Sequence, residues 1–279
     1  DDWLVIIKKL YENKDKYDGF VITHGTDTMA YTSSVLSYVL RDLGKPVILT
    51  GSMLPISDPE TDAKKNLLDS FVFMKLLCGK SQNSVSICFA GKLMHGPRVK
   101  KYSGKRHDAF NSVYYSDIGR IENEKAVIFK KPYIDKSTLL RPINEKRDIR
   151  FSAKVLPVKL FPGFSAHYFD KLIDIKPEAM VVECFGLGGL PYLGENLLPG
   201  LKRAVSNGIL TVITTQCPEG GVDLLTYDVG QKTLKTGAIS AQDMGFEAIV
   251  AKLMWLLPRV SADEAADLLT HNFCDEIKI

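Results

Sequence analysis

Short blocks of consecutive apolar residues alternate along this chain with longer segments whose apolar residues recur every three or four positions. The first pattern predicts buried strands, the second amphipathic helices. Trp3, Leu4, Ile6, Ile7, Leu10 and Tyr11 share one helical face, with Asp1 and Asp2 placed to cap it. Phe20, Val21 and Ile22 read as the end of a buried strand, and Gly25 opens a turn. A helix over about 29–43 follows from the spacing of Val35, Leu36, Val39, Leu40 and Leu43, and Gly44 stops it. Residues 46–50 form a second strand, 62–77 a helix, 84–89 a third strand and 126–129 a further one.

This rhythm of strand and helix is that of an α/β fold, a parallel sheet with helices on both faces. Residues 131–153 interrupt it with Pro, Lys, Arg, Asp and Glu and little periodicity. We therefore expect one domain over 1–133, a linker over 134–153 and a second α/β domain over 154–279. In the second, strands are predicted at 155–161, 179–185 and 210–214. Helices are predicted around Tyr168, Phe169, Leu172 and Ile173, and over 196–205 and 246–257, and residues 262–272 close the chain.

The chain's 279 residues, 45% hydrophobic and 25% charged, allow a substantial core. A net charge of +3, with no basic stripe interleaved with aromatics, argues against a nucleic-acid partner. No apolar run approaches the ~20 residues that span a bilayer, so no membrane association is expected. Cys78, Cys88, Cys184, Cys217 and Cys274 are scattered without a Cys-x-x-Cys, which predicts reduced thiols and a cytoplasmic setting. The start at Asp1-Asp2-Trp3 carries no initiator Met, and residues are expected upstream.

The candidate chemistry gathers where the first strand hands over to a helix. Thr23, His24, Thr26, Asp27 and Thr28 crowd that turn. Helix capping explains one such residue, because a side-chain oxygen takes one orphan amide proton, but it does not need five. His24 alone reads as a structural hydrogen-bonding residue. Gly51-Ser52 follows the second strand at the same edge of the sheet, as an ordinary turn or as a small-residue floor for a ligand. Residues 186–189, Gly-Leu-Gly-Gly, lack the endings of both a P-loop and a dinucleotide fingerprint and read as a tight turn. The basic run over 98–107 reads as a solvated loop. A lysine in it, Lys100 or Lys101, matters if it folds back onto Asp27, where its proton becomes exchangeable. The histidines show no paired ligand spacing, and no metal site is expected.

Residues 17–29, Tyr-Asp-Gly-Phe-Val-Ile-Thr-His-Gly-Thr-Asp-Thr-Met, resemble a signature of the L-asparaginase/glutaminase amidohydrolases, in their cytosolic type I branch. The resemblance runs on through 47–53, Asp62 and Asn66, Lys101 to Phe110, Thr215-Gln216-Cys217, Asp243-Met244, Glu247 and Lys252. It implies a larger, flavodoxin-like N-terminal domain and a smaller C-terminal α/β domain. It also implies a catalytic set of Thr26, Asp27 and Lys101, with Lys101 preferred to Lys100 by its distance from Phe110. Substrate binding is implied for Gly25, Thr26, Asp27 and Ser52. The implied activity is hydrolysis of L-asparagine to L-aspartate and ammonia through a threonine nucleophile and an acyl-enzyme, with no cofactor. The implied assembly is a homodimer or homotetramer whose neighbouring subunits complete each site. One feature departs from the pattern: the family's first Thr-Gly-Gly-Thr strand does not occur in these residues, and it is expected upstream of Asp1. An ammonia-supplying subunit of a tRNA-dependent amidotransferase and a non-catalytic ligand-binding relative remain as alternatives.

Overall fold

The computed structural model describes residues 2–78, 84–135 and 149–278. Asp1 and residues 136–148 of the expected linker lie outside them. The chain divides into two units, Asp1–Ile149 with Asn272–Ile279, and Arg150–His271. The chain's end thus belongs with the first unit, rather than with the domain expected to run over 154–279.

In the first unit, helix α1 (Asp2–Asn13) precedes β1 (Phe20–Thr23), α2 (Met29–Val39), β2 (Val47–Thr50), α3 (Ala63–Leu77) and β3 (Val85–Phe89). These three strands pair in parallel in the order β1-β2-β3. β2 and β3 are buried throughout, whereas β1 forms the sheet's edge and its apolar residues are only half-buried. α2 ends at Val39, short of the expected 43. Side chains take its last carbonyls: Arg41 Nε donates to Tyr38 O and the Tyr11 hydroxyl to Val39 O. A turn through Leu43 then reaches Gly44, at a φ of 78°.

The expectation of a wholly parallel sheet fails after β3. Ala90 and Gly91 both have positive φ, the geometry of a two-residue hairpin turn, and β4 (Lys92–His95) returns antiparallel to β3. Then come a 3-10 turn at Gly96–Arg98, β5 (Val99–Lys101), β6 (Phe110–Ser112), β7 (Gly119–Glu122) and β8 (Lys125–Ile128). β7 and β8 extend the sheet beyond β4 to six strands, while β5 and β6 form a separate antiparallel pair. The run over 98–107 is therefore partly strand, and Arg98, read as solvated, is fully buried.

The second unit keeps the expected rhythm. β9 (Val155–Lys159), α4 (Ala166–Asp174), β10 (Ala179–Cys184), α5 (Leu198–Ser206), β11 (Leu210–Thr215), α6 (Asp228–Leu234), β12 (Ile239–Ser240), α7 (Phe246–Leu256) and α8 (Ala262–Leu269) follow in turn. All four strands are parallel, in the order β12-β11-β10-β9. Pro157 is tolerated because β9 is an edge strand. Residues 186–189 form the expected tight turn, with Gly186 and Gly188 at positive φ and Phe185 bridged to Gly189. The sequence pattern missed α6 and β12, which are short and carry few apolar residues.

Candidate active site

The site begins with register. Thr23 of β1 lies opposite Thr50 of β2, and the His24 N–H donates to Thr50 O at 2.8 Å. The turns after the two strands therefore leave the sheet side by side, at the carboxyl ends where parallel sheets hold their ligands. Gly51 makes this closeness possible, since a Cβ there would stand 2.3 Å from His24 O. The second turn is held by α3 and the residue before it. The Asp62 carboxylate accepts from Met53 N–H at 2.9 Å and Leu54 N–H at 3.1 Å. The Asn66 amide donates to Gly51 O at 3.0 Å and accepts from Ala90 N–H at 2.9 Å, tying the ends of β2 and β3 together. Ser52 sits between these anchors, with its hydroxyl donating to Leu54 O at 2.7 Å.

Lys101 arrives from the antiparallel extension. The turn at Gly96–Arg98 packs closely on α2, where Ser33 Oγ donates to Gly96 O at 2.8 Å. A Cβ on Gly96 would meet Ser37 Oγ at 2.8 Å and Val85 O at 2.9 Å, so only glycine fits. Arg98 Nε donates to Asp275 O at 2.7 Å, anchoring the start of β5 to the returning tail. Lys101 pairs with Phe110, whose buried ring lies 4.9 Å from Phe89 at the end of β3. Successive strand residues face opposite ways, so Lys101 and Lys100 cannot serve the same site.

Lys101 Nζ donates to both Thr26 Oγ1 and Asp27 Oδ1, each at 2.7 Å. These bonds cross 75 and 74 positions of the sequence. The lysine side chain is 19% exposed and that of Asp27 92%, so the pair is half sheltered. The hydrogen bond and charge of Lys101 hold the Asp27 carboxyl below its usual range. With this much solvent, the pair contributes orientation more than stability. Capping does not account for Thr26 and Asp27. Thr28 occupies the cap position of α2, and its side chain makes no cap bond.

The structure thus joins Thr26, Asp27 and Lys101 directly. Gly25 lies in the same turn, its carbonyl held by the His24 ring at 2.6 Å. Ser52 belongs to the neighbouring turn, and its hydroxyl is bonded within its own loop. Reading the sequence missed the anchoring parts of Asp62, Asn66 and Arg98. Asp62 and Asn66 entered as positions of the family resemblance at a helix start, with no role given to either. Among the described residues no group of three His, Cys, Asp or Glu is placed to hold a metal, and no helix is long and apolar enough to cross a membrane. All five cysteines are free thiols. Burial pushes Cys88 up to about 12 and Cys184 also upward.

Comparison with known proteins identifies the family. The family model "Asparaginase, N-terminal" matches residues 1–134, and "Glutaminase/Asparaginase C-terminal domain" matches 154–267. An L-asparaginase of Thermococcus kodakarensis is 37% identical over 278 residues, covering 99% of this chain and 81% of the relative. A solved structure of a thermostable L-asparaginase from Thermococcus kodakarensis, 37% identical, superposes with a TM-score of 0.90, covering 100% of this chain and 81% of that one. L-asparaginase I of Vibrio cholerae is 33% identical at a TM-score of 0.86, covering 100% and 82%. A subunit of the glutamyl-tRNA(Gln) amidotransferase of Pyrococcus abyssi is 33% identical, covering 99% of this chain but 63% of the relative.

Proposed function

The chain belongs to the asparaginase family, and from that premise we propose that it hydrolyses the side-chain amide of L-asparagine to L-aspartate and ammonia. The observation that carries the proposal is the Lys101 ammonium bonded at once to Thr26 Oγ1 and Asp27 Oδ1 beyond the carboxyl ends of the parallel strands β1 and β2. Amide hydrolysis needs a nucleophile, a route for its proton and donors for the developing oxyanion. Lys101 and Thr26 supply the route, and Asp27 keeps Lys101 oriented. Backbone N–H groups of the turns at Gly25–Thr26 and Gly51–Ser52 supply the donors.

In this reading the attacking hydroxyl is that of a threonine on a further strand beside β1, a half-buried edge strand of the sheet. The hydroxyl adds to the amide carbon as its proton passes to Thr26 Oγ1, which hands its own proton to the amide nitrogen while the Lys101 ammonium stays charged. The C–N bond then breaks and ammonia leaves. Water adds to the resulting ester and releases aspartate. The protein works in the cytoplasm as a homodimer or homotetramer.

Hydroxylamine is the direct test. It captures an acyl-enzyme as the hydroxamate of aspartate, and mass mapping of the trapped ester identifies the acylated residue. An ester on Thr26 itself would overturn its role as proton carrier. The likeness to the Pyrococcus amidotransferase component supports a second reading, ammonia supply to an amidotransferase. Glutamine turned over faster than asparagine, with a copurifying partner protein, would favour it.

A further inference from the structure

A hydrogen-bonded relay crosses the first unit behind the site. Trp3 Nε1 donates to Thr32 Oγ1 at 2.9 Å, Thr32 Oγ1 lies 3.0 Å from His24 Nε2, and His24 Nδ1 lies 2.6 Å from Gly25 O. Its directions follow from the chemistry of its two ends. An indole nitrogen only donates, so Thr32 Oγ1 accepts from Trp3. A carbonyl oxygen only accepts, so His24 Nδ1 must carry the hydrogen that faces Gly25 O. In the neutral imidazole Nε2 is then the acceptor, and the Thr32 hydroxyl donates to it. With the imidazole neutral, each member's donors and acceptors match its neighbour's in one sense only.

The consequence reaches the site through peptide planarity. The Gly25 carbonyl and the Thr26 N–H belong to one rigid trans peptide and point opposite ways. A ring that grips the carbonyl therefore turns the Thr26 N–H away from the imidazole. Among the described residues that N–H has no acceptor. Gly25 is exposed and would have nothing within 4 Å of an added Cβ, so packing does not hold this peptide in place.

We infer that His24 is a positioning residue. Through its Nδ1–H it sets the Gly25–Thr26 peptide, and with it the Thr26 amide, for the oxyanion formed on the substrate. This rests on the amidohydrolase reading above. Its effect falls on the chemical step rather than on substrate capture, because an oxyanion donor bonds most strongly in the transition state.

Two near-isosteric variants separate the ends of the ring. In His24→Asn the amide nitrogen takes the place of Nδ1 and still donates to Gly25 O. In His24→Gln the side chain reaches the place of Nε2 and leaves the carbonyl free. The expected result is a loss in kcat of about tenfold or more for His24→Gln with KM little changed, and substantial recovery in His24→Asn. In 15N spectra His24 is expected as the Nδ1–H tautomer, with the Thr26 amide resonance displaced in His24→Gln and near its parent position in His24→Asn. Equal losses in the two variants, unchanged kcat in His24→Gln, or an Nε2–H tautomer would overturn the inference. These variants are made in the complete protein, with the strand that carries the nucleophile, and absence of any amide hydrolysis by that parent would overturn the functional reading instead. The tautomer and the Thr26 resonance would then still decide whether the relay sets the peptide.

Discussion

Two sheltered lysines, one in each unit, show how differently the same side chain is used. Lys252 on α7 is completely buried, and its Nζ donates to Leu269 O at 2.7 Å and His271 O at 2.6 Å. It satisfies carbonyls at the end of α8 that would otherwise be orphaned. Lys101 keeps a window to solvent and bonds a hydroxyl and a carboxylate. Carbonyl partners have no proton to exchange, whereas a hydroxyl has one. A sealed amine with carbonyl partners stabilises the fold, and an open amine beside a hydroxyl can move protons. Both lysines fall within the sequence that resembles the family, which implied a catalytic role for Lys101 and none for Lys252.

The comparison is broken most directly at Lys101. Lys101→Met should reduce ammonia release by about 10³-fold, in the range typical for a lost general acid–base group, with the melting temperature unchanged. Near-normal turnover in a steady-state ammonia assay would remove Lys101 from the chemistry. Gly51→Ala should follow, with a loss of about 10²-fold, because the new Cβ collides with His24 O and separates the two turns. Its expected signature is a fall in kcat/KM in a variant that still unfolds cooperatively.

Lys252→Met reverses the pattern of Lys101→Met. It strips the donor from Leu269 O and His271 O and should cost about 1–3 kcal/mol in urea unfolding, while kcat per folded molecule stays at the parent value. A normal urea midpoint would show that the carbonyls find other donors. The smallest effect concerns Asp27. Its carboxyl titrates below the ordinary value near ~3.9, so its ion pair with Lys101 is present at neutral pH. That pairing is lost only as pH falls through the lowered folded value. In a 13C titration, Lys101→Met should move the Asp27 midpoint upward. An unmoved midpoint would mean that Lys101 does not set it.

How much of this was legible depended on the distance between partners. Phe20–Thr23 with the turn at Gly25, and Val47–Thr50 with Gly51, carry strand and turn within a few residues, and both follow from the pattern alone. The antiparallel return at Ala90-Gly91 does not. Only Gly91 signals a positive φ, and Ala90 adopts one through its setting in the hairpin. The burial of Arg98 was equally hidden, because its partner Asp275 lies 177 positions away.

Thr26 and Asp27 were recognisable as a candidate pair from five crowded polar residues, yet on spacing alone Lys100 and Lys101 were equivalent. The resemblance favoured Lys101, and its antiparallel pairing with Phe110 gives the physical reason.

By itself the sequence determined the α/β class, the family and the local strand-turn-helix units, because apolar period and turn chemistry act between near neighbours. Tertiary structure decided the contact that brings Lys101 to Thr26 and Asp27, which lysine is sealed and which groups anchor the two turns. Those outcomes depend on strand register, close packing at Gly51 and Gly96, and the one-sided matching of donors to acceptors. None of these is a property of a segment taken alone.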